Sequence, residues 1–212
     1  MNKIYILGIG PGSKDYLLKK VEKIVKQSDV IIGGSRALKM FSNLNKEEIK
    51  ITADLDRIKN YILKNYKKKR ISVLVSGDPG LYSMLNYLKR HIDKELLEVI
   101  PGISSLQLAA SRIKLNWNVM KLTSLHGKNN QEKVIRKIKE NEKVGLFTDH
   151  KYSPDKIAKL LINQGITDKK GFVFEDLSYP EERIVRGSLQ ELQEYNFSKL
   201  TVMVICNEEL EI

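Results

Sequence analysis

Over the first hundred residues, short apolar runs alternate with segments whose apolar residues recur at helical spacing. The runs are residues 3–9, 29–32, 49–52, 71–76 and 97–100. Between them, Leu17, Leu18, Val21, Ile24 and Val25 mark one helix face, and Leu55, Ile58, Ile62 and Leu63 mark another. Thr52-Ala53-Asp54 stands ahead of the second helix as a cap. A strand that returns through a helix runs parallel to its predecessor. The pattern therefore predicts a mostly parallel sheet covered by helices on both faces. In such sheets ligands meet the loops at the carboxyl ends of strands. Three glycine-bearing stretches fall there: GIGPG at 8–12, SGDPG at 76–80 and PGISS at 101–105.

From about Ile113 the pattern changes. IKLNWN, residues 113–118, has no clear period and reads as a linker. Strand-like runs follow at 119–123, 144–148, 171–175, 183–186 and 200–206, with helices at 131–140 and 154–163. Three late strands with little helix between them predict a mixed sheet. The expected fold class is α/β, with two α/β domains, residues 1–112 and 113–212. A further helix is expected at 81–91, behind SGDPG.

Each glycine loop excludes something. GIGPG lacks the third glycine of a dinucleotide fingerprint, since residue 13 is serine, and the second strand ends in Ile32-Gly33-Gly34 rather than an acid. Pro11 also removes a backbone donor that a phosphate would use. In SGDPG, Asp78 sets a negative charge where a phosphate would lie. That choice favours a cationic or hydrogen-donating ligand, such as a sulfonium, an amine or ribose hydroxyls. The alternative is a tight turn capping the helix 81–91, with Asp78 as its N-terminal acid. In PGISS, Ser104 and Ser105 either cap a helix or offer hydroxyls to a ligand.

Charge and cysteine content narrow the class further. The net charge of +11 is uneven: residues 1–112 hold 21 Lys and Arg against 11 Asp and Glu, while residues 113–212 hold 16 against 15. The excess suits an anionic partner, although lysines spread over solvated helix faces give the same count. One cysteine, Cys206, precludes a disulfide framework, and three histidines show no metal-ligand spacing, so no protein-bound metal is expected. No apolar run approaches the ~20 residues of a membrane span, and the N-terminus reads as a first strand rather than a signal peptide. A cytoplasmic location is expected. Nucleic acid is not an expected partner, because no aromatic-rich RNA-binding strand is present.

The three loops together, in this order and spacing, resemble the tetrapyrrole methylase family, whose pattern is G-x-G-P-G, then G-D-P, then P-G-[IV]-[ST]-[ST]. The stretches GPGSKDYL, IIGGSRALKMF, VSGDPGLYSML, EVIPGISSLQLAASRI and LTSLHGK are similar to the branch that methylates corrinoid precursors of cobalamin. The resemblance implies a methyltransferase with S-adenosyl-L-methionine in a cleft closed by the second domain. It implies cofactor contacts from Ser76, Gly77, Asp78, Leu81, Ser104, Ser105, Thr148 and Phe172. It places Pro11 and His126 toward the substrate. His126 handles a proton, binds substrate, or is a surface-turn histidine. His91 and His150 read as structural or exposed, and Asp149 as a turn residue. The implied partner is an anionic, carboxylate-edged corrinoid whose cobalt belongs to the substrate. A homodimer is implied, as is a separate protein for the C15-methylating, decarboxylating step. The competing readings are a family member with another acceptor, such as a different precorrin or ribosomal RNA, and a non-catalytic basic RNA-binding module.

Overall fold

The computed structural model describes residues 3–125, 131–149 and 151–207. The chain divides into two compact units, Met1–Ser104 and Ser105–Ile212, a division that falls N-terminal to the 112/113 boundary expected from the sequence.

The first unit runs β1 (Ile4–Gly8), α1 (Lys19–Gln27), β2 (Val30–Gly33), α2 (Ser35–Met40), β3 (Glu47–Lys50), α3 (Leu55–Asn65), β4 (Ile71–Val75), α4 (Leu85–Leu88) and β5 (Leu97–Ile100). Its strands lie in the order β3-β2-β4-β1-β5, all parallel. The period of two sorts the side chains of the central strands onto opposite faces. Ile4, Ile6 and Val73 pack with Ile58 and Ile62 of α3, whereas Leu7 and Leu74 pack with Val21 and Val25 of α1. All of β4 is buried, as a parallel strand covered on both faces must be. Asp54 caps α3 as expected, its carboxylate accepting the Arg57 N–H at 3.0 Å.

Two expectations for this unit need correction. The helix predicted at 81–91 is reduced to the single turn Leu85–Leu88. Tyr82 adopts φ +48°, a left-handed value that interrupts any helix. The Ser83 hydroxyl meanwhile donates to the Pro79 carbonyl, tightening the preceding turn. The third strand starts at Glu47 rather than at 49. It is a mostly exposed edge strand, so its apolar signal is weak.

The second unit runs α5 (Ser105–Arg112), β6 (Lys121–Ser124), α6 (Gln131–Glu140), β7 (Lys143–Phe147), α7 (Pro154–Asn163), β8 (Lys169–Glu175), β9 (Arg183–Ser188), α8 (Leu189–Leu192) and β10 (Thr201–Asn207). The strand order is β6-β7-β10-β8-β9. β6 and β7 are parallel, and every other pairing is antiparallel, giving the mixed sheet expected. α8 escaped the sequence reading, although its capping box, Ser188 with Glu191, is complete. Helix α5 packs on this sheet: Leu106 lies so close over Gly145 that a Cβ there would meet its Cδ1 at 3.1 Å.

A bidentate ion pair fixes the far end of α5. Arg112 Nε and Nη2 donate to the two oxygens of Glu182 at 2.5 and 3.1 Å, and the Ser178 N–H donates to Glu182 at 2.7 Å. The Arg112 hydrogen bond, more than the partial burial that opposes it, holds the Glu182 carboxyl below its ordinary value of 4.5. A carboxyl whose folded pKa is depressed contributes stability above its unfolded pKa and loses it as pH falls through the folded value. Glu182→Gln should therefore destabilise the protein by about 1 kcal/mol at neutral pH. In urea unfolding followed across pH, the gap between mutant and parent should narrow as pH falls below 4.5 and through the depressed folded value.

Candidate functional site

The strand order brings the ends of β4, β1 and β5 side by side, and each is followed by one of the three glycine stretches. Their backbones meet without side chains between them. A Cβ on Gly8 would stand 2.5 Å from the Gly102 nitrogen and 2.7 Å from the Gly77 carbonyl oxygen. A Cβ on Gly102 would stand 2.7 Å from the Gly8 carbonyl carbon. Both obstacles are backbone, which cannot swing aside. Gly77 donates its N–H to the Gly10 carbonyl at 2.8 Å, and Ile9 donates to Val75 at 3.0 Å. Gly10 and Gly77 sit at φ +78° and +67°, where a side chain would be strained.

Asp78 is the side chain that spans this junction. Its Oδ1 accepts the Gly80 N–H at 2.7 Å and its Oδ2 accepts the Gly102 N–H at 3.1 Å. One carboxylate thus closes its own loop and ties it to the loop after β5. This corrects the helix-cap alternative: α4 begins seven residues later in the chain, at Leu85, with no side-chain cap. An ionised carboxylate has about four lone-pair directions, so each oxygen keeps accepting capacity.

The first unit brings Pro11, Ser76, Gly77, Asp78 and Leu81 to this edge. Ser76 is exposed, Leu81 half-buried with its N–H on the Asp78 carbonyl at 3.1 Å, and Pro11 buried. Ser104 is buried and Ser105 half-buried. In the second unit, Thr148 follows β7, and its Oγ1 lies 2.6 Å from both the carbonyl and the hydroxyl of Thr201. Phe172 is buried inside β8, paired between Val204 of β10 and Arg186 of β9. His126 and His150 lie outside the described residues. Asp149 is the turn residue expected, accepting the N–H groups of Lys151 and Tyr152 at 2.8 and 2.7 Å. His91 is exposed, against the Tyr87 ring at 4.6 Å. Among the described residues no group of three or more His, Cys, Asp or Glu could hold a metal. Burial pushes the Cys206 thiol up to about 11, which leaves it a poor nucleophile. No helix of the described residues is long and apolar enough to cross a membrane.

Sequence reasoning missed a neighbouring feature. On the other side of Ser76, the ends of β2, β3 and β4 border an open cavity of about 450 Å³, lined in part by Gly34, Arg36, Val75, Ser76 and Tyr82. In the sequence, Gly33-Gly34 entered as the absence of a ribose-binding acid and as part of the stretch IIGGSRALKMF, with no sign of a cavity.

Residues 3–193 match the model of the family described as Tetrapyrrole (Corrin/Porphyrin) Methylases. The chain is 41% identical to the probable cobalt-precorrin-7 C(5)-methyltransferase of Methanocaldococcus jannaschii, covering 97% of this chain and 99% of that protein. It is 29% identical to the cobalt-precorrin-7 C(5)-methyltransferase of Salmonella typhimurium, covering 84% and 87%. Among solved structures, the uroporphyrin-III C-methyl transferase of Thermus thermophilus, complexed with S-adenosyl homocysteine, superposes with a TM-score of 0.77 at 19% identity, over 97% of both chains.

The glycine contacts and the Asp78 bridge can be separated experimentally. Gly8→Ala should cost at least ~2 kcal/mol in denaturant unfolding, because overpacking here meets backbone. Asp78→Ala leaves the Gly80 and Gly102 N–H groups without this partner and should cost about 1.5–3 kcal/mol. A Gly8→Ala protein as stable as its parent would contradict the contact geometry.

Proposed function

Because the chain belongs to the tetrapyrrole (corrin/porphyrin) methylase family, we propose that it transfers a methyl group from S-adenosyl-L-methionine to C5 of the corrinoid cobalt-precorrin-7 in cobalamin biosynthesis. The observation that carries this reading is the nearly end-to-end match to the Methanocaldococcus jannaschii protein. The Thermus thermophilus structure complexed with S-adenosylhomocysteine supports the choice of methyl donor.

The donor set suits a sulfonium nucleoside. The β4 edge offers an exposed Ser76 hydroxyl and a carboxylate with lone pairs still open, beside glycines that leave the backbone accessible. Such groups accept ribose hydroxyls and favour positive charge, whereas a phosphate would be repelled. When bound, S-adenosylmethionine supplies an electrophilic methyl on a charged sulfur. Ser76, Gly77, Asp78, Leu81 and Ser104 would hold it from the first unit; Ser105, Thr148 and Phe172 are the second unit's share of the proposal. Asp78 contributes twice, as an acceptor and as the bridge that keeps the loops from shifting. Positioning of this kind supplies much of the acceleration in an in-line displacement.

The acceptor is a ring edged with carboxylates, and the excess of Lys and Arg in residues 1–112 draws anions toward that part of the protein. Pro11 and His126 are the proposed substrate-side residues, with His126 binding the ring or handling the proton released on methylation. Cobalt enters as part of the substrate. The same reading includes a cytoplasmic homodimer working beside a separate C15-methylating, decarboxylating protein.

Isothermal calorimetry with S-adenosylhomocysteine, followed by methyl transfer to cobalt-precorrin-7, tests the reading; no binding heat and no transfer would sink it. Within it, His126→Ala should lower turnover and spare cofactor affinity. A group titrating near ~6.5 should disappear from the pH–rate profile. An unchanged turnover and profile would remove His126 from the site.

A further inference from the structure

Gly33 and Gly34 are adjacent, and only the first is crowded by its neighbours. A Cβ on Gly33 would press on Ala37 Cβ at 3.1 Å and Leu74 Cβ at 3.3 Å, so the packing of α2 against β4 favours a glycine there. At Gly34 a Cβ would meet nothing within 4 Å. Its backbone, φ −66° and ψ 161°, is open to any residue. Gly34 is exposed and borders the cavity of about 450 Å³ at the ends of β2, β3 and β4. Glycine suits its place as the N-cap of α2, but neither packing nor conformation forbids a side chain there. Its lack of one leaves that border of the cavity open.

The lining gives the cavity a chemical character. Leu74 and Val75 supply apolar surface, and Ser76 and Tyr82 add hydroxyls. Arg36 is the one charged side chain among the lining residues, and none of them is acidic. Arg36 is exposed and enters no ion pair among the described residues. Tyr82, 56% exposed, stands on the left-handed backbone that broke the predicted helix. Strain of that kind in a non-glycine residue costs about 1–3 kcal/mol and concentrates at ligand sites. An apolar floor with one guanidinium and no acid fits a ligand that is apolar over most of its surface and carries a carboxylate at its edge. Guanidinium and carboxylate match in a two-bond fork.

We propose that this cavity receives a carboxylated side arm of the macrocyclic acceptor, with Arg36 pairing the carboxylate and Gly34 holding the space for the arm. The inference rests on the corrinoid reading above and adds to it a subsite and two specificity-determining residues. It also divides the edge of the sheet at Ser76. The donor belongs with the glycine loops on the β1 and β5 side, and the acceptor's arm with the cavity on the β2 and β3 side.

The test uses cobyrinic acid, a stable corrinoid polycarboxylate, and its heptamethyl ester, with S-adenosylhomocysteine as a control ligand. Binding is measured by equilibrium dialysis. The parent protein should bind the acid in preference to the ester. Arg36→Gln should weaken the acid by roughly tenfold or more, the loss of a charge-assisted fork, and leave the ester unaffected. Arg36→Lys should recover part of the loss. Gly34→Leu, which the open backbone tolerates, should weaken both corrinoids by filling the cavity. S-adenosylhomocysteine should bind all variants like the parent. Unchanged affinity of the acid for both Arg36→Gln and Gly34→Leu overturns the subsite while leaving the methyltransferase reading intact. Loss of S-adenosylhomocysteine binding in these variants overturns it too, by assigning the cavity to the donor. A parent that binds S-adenosylhomocysteine but neither corrinoid overturns the corrinoid acceptor itself, and the subsite with it.

Discussion

The backbones of Gly8, Gly77 and Gly102 touch where three parallel strands end, and the rest of the first unit's functional edge is built on that contact. A sheet normally splays its loops at this edge, because each strand leaves in its own direction and side chains hold the loops apart. Removing three side chains lets the loops after β4, β1 and β5 close on each other. Asp78 then bridges two of them with one oxygen on Gly80 and the other on Gly102. A loop cluster fixed this way loses little further conformational freedom when a ligand arrives, which is how preorganisation strengthens binding without additional contacts. It also explains why a carboxylate occupies a position that phosphate-binding loops keep neutral: the charge holds the loops before it meets any ligand.

The two units reach their sheets by different means, and this affects where rigidity lies. The first depends on the apolar central strands β1, β2 and β4, with strand charge confined to the outer strands β3 and β5. The second buries polar groups as struts. Glu175, 3% exposed, accepts the Ser198 N–H at 2.6 Å and also pairs with Arg183. Lys169, 4% exposed, donates to the Asn141 carbonyl at 3.2 Å and to Asn207. Buried charges of this kind are tolerated only when they are paired, and once paired they fix the register of the strands that carry them. Glu175 and Lys169 stand at opposite ends of β8, so both ends of that strand are pinned.

Much of this was readable from residues. The helices at 131–140 and 154–163 have the predicted limits, because strong apolar periodicity and a proline at the first turn define them. The three loops carried the family resemblance, and the structure sets them after neighbouring strands, β4, β1 and β5. The failures share a cause: they depend on contacts between segments far apart in sequence. The helix expected at 81–91 is cut short by the turn at Pro79 and the left-handed backbone of Tyr82. For Asp78 the sequence leaves a cap open as an alternative because its partner, Gly102, is 24 residues away. Thr148 was named by resemblance, and no local signal reveals that it engages Thr201, whereas the strand that holds Phe172 was expected at 171–175.

Gly33-Gly34 shows how a residue's necessity can be divided between folding and function. In sequence the two are indistinguishable. In the structure, the first is crowded by Ala37 and Leu74, while the second, the N-cap of α2, meets no neighbour that would exclude a side chain. A residue whose smallness the fold does not use is smallness available to a ligand. The same reasoning separates the charges. The basic excess of residues 1–112 acts over a Debye length of about 8 Å at physiological salt, and it raises the encounter rate of any polyanion. It cannot tell one carboxylated ring from another. Discrimination requires a charge at a fixed place against a defined wall, and among the residues lining the cavity Arg36 is the one that meets that condition. Long-range attraction and short-range selection are therefore separable in this molecule, the first belonging to many lysines and the second to one arginine beside one uncrowded glycine.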